Sequence, residues 1–142
     1  RTELGRQIRR AFVPSQPGWL FLSADYSQVE LRILAHLSQD PALLEAFAQR
    51  QDIHRMTAAE VFLVEPSRVS PEERSAAKTI NFGIVYGMTP FGLAKELGIP
   101  PEEAQGFIDR YFGRFPKVQG YLAQSVEEAR ARGYTTTLFL LR

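Results

Sequence analysis

The sequence predicts an α+β fold that is mostly helical, running strand, many helices, strand. Three observations predict it. Residues 19–24, Trp-Leu-Phe-Leu-Ser-Ala, form a short apolar run bounded by turn signals, the pattern of a buried strand. Most of the chain from 28 to 132 shows helical spacing or paired helix start and stop signals. Residues 134–141 are rich in Thr and apolar side chains and read as a final strand. The expectation is a helical insertion carried on a sheet that is mostly absent.

Each element has its own signal. A basic amphipathic stretch at 6–12 ends in the turn cluster Pro14-Ser15-Gln16-Pro17-Gly18. The first strand follows. Val29, Leu31, Ile33, Leu34 and Leu37 then repeat at mainly helical spacing over 28–37. Pro41 opens a second helix reaching about residue 50, and a third covers 52–62. Ser70-Pro71-Glu72-Glu73 is a full helix start, with Ser at the N-cap, Pro at N1 and Glu at N3. A short helix at 89–97 is closed by Gly98. Helices at 101–115 and 116–132 follow, the last stopped by Gly133.

Composition narrows the class. Hydrophobic residues are 44% of 142, enough for a core. Net charge is +1, so binding to nucleic acid has to come from local patches. The absence of Cys excludes disulfides and thiolate metal sites. No apolar run is long enough to span a bilayer, so no membrane partner is expected. The chain opens Arg1-Thr2-Glu3 without an initiator Met, which points to an excised or partial chain.

The segment RSAAKTINFGIVYG, residues 74–87, sets Arg74, Lys78, Phe82 and Tyr86 at intervals of four. On a helix these fall within a sector of about 120° and span about 18 Å. Ala76, Ala77, Ile80, Gly83 and Ile84 lie opposite. The exposed face is thus cation, cation, ring, ring, the layout of a nucleoside triphosphate. A solvated charged face with two boundary aromatics is the plainer alternative. Against it, cations near a helix N-terminus oppose the macrodipole, and a bound anion reverses that sign. Phe82 and Tyr86 would also stay exposed unless something stacked on them.

Asp25 stands at the carboxyl end of the first predicted strand, a place suited to holding a divalent cation; a plain turn aspartate is the commoner case. Ser27-Gln28-Val29-Glu30 fits a capping box, which would occupy Glu30 with a backbone N–H. His36 reads as a packed histidine. His54, beside Arg55 at a helix start, could join an anion site.

Asp25-Tyr26-Ser27-Gln28-Val29-Glu30-Leu31-Arg32 resembles motif A of the family A DNA polymerases, the bacterial DNA polymerase I type. Arg74-xxx-Lys78-xxx-Phe82-xxx-Tyr86-Gly87 is similar to motif B of the same family. Asp52-Ile53-His54 and residues 107–118 extend the likeness to almost the whole chain. The resemblance implies fingers helices inserted between strands of a truncated antiparallel palm sheet. Residues 1–40 would be partial palm, 41–133 fingers, and 134–142 a strand returning to the palm. It implies template-directed DNA synthesis, deoxynucleotidyl transfer to a primer 3′-hydroxyl, with two Mg²⁺ ions in the complete enzyme.

Residue by residue, the resemblance makes Asp25, Arg74 and Lys78 catalytic, and Asp25 and Tyr26 metal ligands. Gln28, Glu30, His54, Arg74, Lys78, Phe82 and Tyr86 would bind the deoxynucleoside triphosphate, with Glu30 the steric gate against a ribose 2′-hydroxyl. Arg1, Arg32, Tyr86 and Gly87 would face primer–template DNA. The setting implied is cytoplasmic and nucleoid-associated, and the parent monomeric.

In that family a Gly and a basic cluster follow the TTTLF strand, and a second carboxylate motif comes later. Here residues 135–139 are followed by Leu140-Leu141-Arg142. The expectation is a fragment that is inactive alone and self-associates through exposed strand edges. Two other readings are a non-catalytic module for nucleotide or single-stranded nucleic acid, and a helical interaction domain without a ligand.

Overall fold

The computed structural model describes residues 3–137. Among them every regular element is helical. In chain order these are α1 (Glu3–Arg10), α2 (Val29–Ser38), α3 (Pro41–Ala48), α4 (Ile53–Phe62), a 3₁₀ turn (Pro66–Arg68), α5 (Pro71–Val85), α6 (Pro90–Leu97), α7 (Pro101–Arg114) and α8 (Pro116–Arg132).

The α+β expectation is therefore overturned: no strand occurs among the described residues. Residues 19–24 run without a ladder, and Leu20 and Leu22 are 92% and 91% exposed. An apolar run becomes a strand only when a neighbouring backbone takes its N–H and C=O groups, and no described segment does so. Residues 134–137 likewise form no ladder, and the rest of the predicted final strand lies outside the described residues. The self-association expected from strand edges loses its basis here, because no described strand has an edge.

Side-chain caps fix the starts of α3, α4, α5 and α6. Asp40 Oδ1 accepts from the Ala42 and Leu43 N–H groups at the start of α3. Asp52 Oδ1 does the same for α4 from His54 and Arg55. The capping box at α5 is complete: Glu73 N–H donates to Ser70 Oγ at 3.1 Å and Ser70 N–H to Glu73 Oε2 at 2.8 Å. Gly98 and Gly133 end α6 and α8 in the left-handed region.

The packing has one main core. Leu31 and Leu34 of α2, Leu43 of α3, Ile53 of α4, Ile80 of α5, Leu93 of α6, Phe107 and Tyr111 of α7, and Val118 of α8 are buried together. α4 packs along α5, α6 and α4 along α7, and α2 against α8 and α3. α1 buries none of its residues. Asp40 is itself wholly buried, because its second oxygen accepts from the Lys117 N–H at 3.1 Å; one carboxylate thus caps α3 and binds the first turn of α8. No described helix is long and apolar enough to cross a membrane.

Candidate functional site

α5 carries the row of cations and rings. Its packed side is Ala77, Ile80, Gly83 and Ile84, all buried, with Asn81 among them. A side chain at Gly83 would stand 3.1 Å from Met88 Sδ, so the glycine lets the following turn fold back onto the helix. That turn is a Schellman motif: Met88 N–H donates to Gly83 C=O at 2.7 Å and Gly87 N–H to Ile84 C=O at 3.1 Å. Gly87 has φ +69°, which only glycine adopts freely. Tyr86 is therefore the C-cap, one position past the last helical residue, and not a rung within the helix.

The four ladder residues differ in environment. Arg74 Nε donates to Asp52 Oδ2 at 2.7 Å across the α4–α5 seam. Burial works to raise the Asp52 carboxyl, but the Arg74 hydrogen bond, the Arg55 N–H and the neighbouring positive charges outweigh it and hold it below the ordinary aspartate value. Lys78 is exposed, its Nζ 5.9 Å from the Phe82 ring centre. Phe82 is half-buried, with the His54 ring tilted against it at 6.0 Å. Tyr86 is 69% exposed and its hydroxyl donates to the Glu30 carboxylate.

That last contact corrects the capping-box reading of Glu30. α2 begins at Val29 with Gln28 at its N-cap in the left-handed region, φ 56°, and no side-chain cap forms. A left-handed N-cap cannot present the extended backbone that a capping box uses. Glu30 turns instead toward Tyr86. His36, expected to be packed, is exposed on α2.

A cleft of about 460 Å³ gathers Gln28, Arg32, Asp52 and Arg74 between α2, α3 and α5. Arg32 donates to the Ser27 carbonyl at 3.3 Å and lies over the Phe47 ring at 4.5 Å. A second groove, about 320 Å³ and mostly apolar, runs from Glu30 and Tyr86 past Val85 to Tyr121. His54 is 4% exposed and borders α5 from α4. Burial first, then the Arg74 charge, lowers its pKa, while Asp52 opposes them.

Asp25 and Tyr26 are not drawn into these clefts. Both are exposed, on the loop before α2, and no group of three or more His, Asp or Glu side chains among the described residues converges as a metal site. One loop carboxylate and a neighbouring carbonyl do not by themselves fit a pair of Mg²⁺ ions. Arg1 lies outside the described residues.

The family model for DNA polymerase family A matches residues 1–142. The chain belongs to DNA polymerase family A. It is similar to the thermostable DNA polymerase I of Thermus filiformis, 54% identical over 139 residues, 98% of this chain and 17% of that protein. The DNA polymerase I of Bacillus caldotenax is 52% identical over 138 residues, 97% of this chain and 16% of that one. A solved structure of the POL domain of Pol1 from M. smegmatis, in complex with DNA primer-template and dNTP, matches with a TM-score of 0.82 at 44% identity. It covers 98% of this chain and 24% of its own. The chain thus spans 16–17% of the length of these two curated polymerases.

In this family A chain three residues escaped the sequence reading of the site. Asp52 has two roles, capping α4 and holding Arg74. Its signal was an Asp just before a helix, which announces the cap but not the partner. Asn81 and Thr57 are buried beside His54, and their only signal is a polar residue on a face that is otherwise apolar.

Proposed function

We propose that this chain carries the deoxynucleotide-binding helix of a DNA polymerase that extends a primer 3′-hydroxyl on a template. One observation carries this reading: α5 sets Arg74, Lys78 and Phe82 along one side, and its C-cap, Tyr86, is tied to Glu30. Arg74 and Lys78 bind the triphosphate as cations, Arg74 already oriented by Asp52. Phe82 lies against the incoming sugar and base, and Tyr86 stands at the template side. Glu30, held by the Tyr86 hydroxyl, is the wall that a ribose 2′-hydroxyl meets. Gln28 and His54 border the triphosphate. Arg1, Arg32 and Gly87 face primer–template DNA. Asp25 and the Tyr26 carbonyl would contribute to a divalent-metal site only together with further carboxylates of the polymerase as a whole. Residues 41–133 are the fingers in this reading, within a cytoplasmic, nucleoid-associated enzyme.

The test is dATP binding to the 142-residue chain, with Lys78→Ala as the variant. Lys78 makes no ion pair among the described residues, so its loss disturbs the fold least. The expected result is about tenfold weaker binding, one charge-assisted contact. Equal measurable affinity in both proteins would remove Lys78 from the site, and no binding by either would leave a helical domain without a nucleotide. In a primer-extension assay the chain alone is expected to be inactive, and robust extension above the Lys78→Ala control would refute that.

A further inference from the structure

Asn81 is wholly buried in the middle of α5, between Ile80 and Phe82. A buried amide needs partners for its polar atoms. Thr57 Oγ1 donates to Asn81 Oδ1 at 3.1 Å, which turns the amide nitrogen the other way. Asn81 Nδ2 lies 3.1 Å from His54 Nδ1. An amide nitrogen donates and has no lone pair to offer, so the ring nitrogen facing it must accept. His54 Nδ1 is then unprotonated, and the proton of a neutral ring sits on Nε2. The order of the chain of contacts is Thr57 hydroxyl, Asn81 amide, His54 ring, and it runs from α4 to α5 and back.

We infer that Asn81, itself oriented by Thr57, is a positioning residue that holds His54 as the Nε2–H tautomer, so that the ring offers a triphosphate a hydrogen-bond donor and not a third positive charge. This rests on the nucleotide reading above for its ligand, though not for its tautomer. The electrostatic surroundings agree. Arg74 and Lys78 both disfavour a charged His54, as does burial, and Asp52 alone opposes them. The ring's second nitrogen is not enclosed without a partner, since among the described residues only the Tyr111 hydroxyl is. Asn81 thus does for His54 what an outer hydrogen-bond partner does for a histidine bound to metal: it selects the tautomer and the ring plane.

Long-range ¹H–¹⁵N correlation spectra of the histidine-labelled 142-residue chain test this directly. The protein has two histidines, and His36→Gln assigns them. In the unmodified chain near neutral pH, His54 is expected to show a proton on Nε2 and none on Nδ1. Asn81→Asp, which places an acceptor at Nδ1, is expected to move the proton there and to weaken dATP binding about tenfold. Thr57→Val removes the donor that orients the amide and is expected to give mixed tautomers. Thr57→Ser keeps the hydroxyl and is expected to keep Nε2–H, a distinction that packing alone would not make. A proton on Nδ1 in the unmodified chain overturns the inference, whatever the variants do. So does an unchanged tautomer in both Asn81→Asp and folded Thr57→Val. If the unmodified chain shows Nε2–H but binds no dATP, the nucleotide reading falls and the positioning of His54 stands.

Discussion

The Tyr86 hydroxyl donates to the Glu30 carboxylate across 56 residues of sequence, fastening the end of α5 to the first turn of α2. Both residues came out of the sequence as site candidates, in separate motifs, and the fold makes them one unit. The Glu30 hydrogen bond is the first cause that raises the Tyr86 pKa above the ordinary tyrosine value, with desolvation and the Glu30 charge adding to it.

Glu30→Gln is therefore expected to return Tyr86 toward ordinary tyrosine titration. The sign follows from linkage. A raised folded value means the native state keeps its proton, so the contribution is present below the ordinary value and is lost as pH rises through the raised one. Ultraviolet titration of the five tyrosines should show the late fraction shrink by one in Glu30→Gln. Tyr111, held up by burial and by Asp40, should still titrate late. An unchanged curve would mean that the Tyr86–Glu30 contact does not persist in solution.

Asp52 joins two functions that substitutions can separate. Asparagine caps a helix about as well as aspartate, so Asp52→Asn keeps the start of α4 and loses the Arg74 ion pair. The pair is 41% and 35% exposed, so solvent screens it and the loss should be about 0.5 kcal/mol. Asp52→Ala removes the cap as well and should cost about 1.5 kcal/mol. Because the folded carboxyl titrates below its ordinary value, the charge contribution is present above that value and disappears as pH falls through the folded one. Urea unfolding at neutral and acidic pH should show the gap between the native chain and Asp52→Asn close in acid. A gap that is constant with pH would assign the loss to something other than this charge.

Asp40 should be the costliest polar residue to remove outside the site. It is wholly buried, caps α3 through two N–H groups, and takes a third from Lys117 at the start of α8. Asp40→Ala is expected to destabilise by about 2–4 kcal/mol, the loss of a cap plus a buried donor left unpaired. Asp40→Asn should cost less, since its carbonyl oxygen still accepts. Equal losses for the two variants would show that geometry at the α3–α8 junction, and not hydrogen bonding, is what Asp40 supplies.

Local chemistry made most helices legible. Ser70, Pro71 and Glu73 specify a helix start through bonds within four residues, and Gly98 and Gly133 specify stops through their own backbone freedom. The four-residue spacing likewise placed Arg74, Lys78 and Phe82 on one side of α5 before any fold was known, because helical periodicity is a local property, whereas Tyr86 falls past the helix end as its C-cap. The same kind of reasoning failed for residues 19–24. A strand is completed by a neighbour's backbone, and an apolar run does not say whether that neighbour is there.

Contacts between distant segments belong to the tertiary structure alone. Glu30 carries a local capping signal, yet it bonds to Tyr86, because Gln28 turns left-handed and the Schellman turn after α5 brings the phenol within reach. Asp52 was readable as a cap, but its hold on Arg74 comes from packing α4 along α5. Asn81 had no positive signal, since a polar residue on a buried face means nothing until its partners are known. A cap, a stop or a periodicity involves atoms a few residues apart, so the sequence alone contains it. A partner 20 to 60 positions away depends on how helices dock, and that is set by the whole core at once.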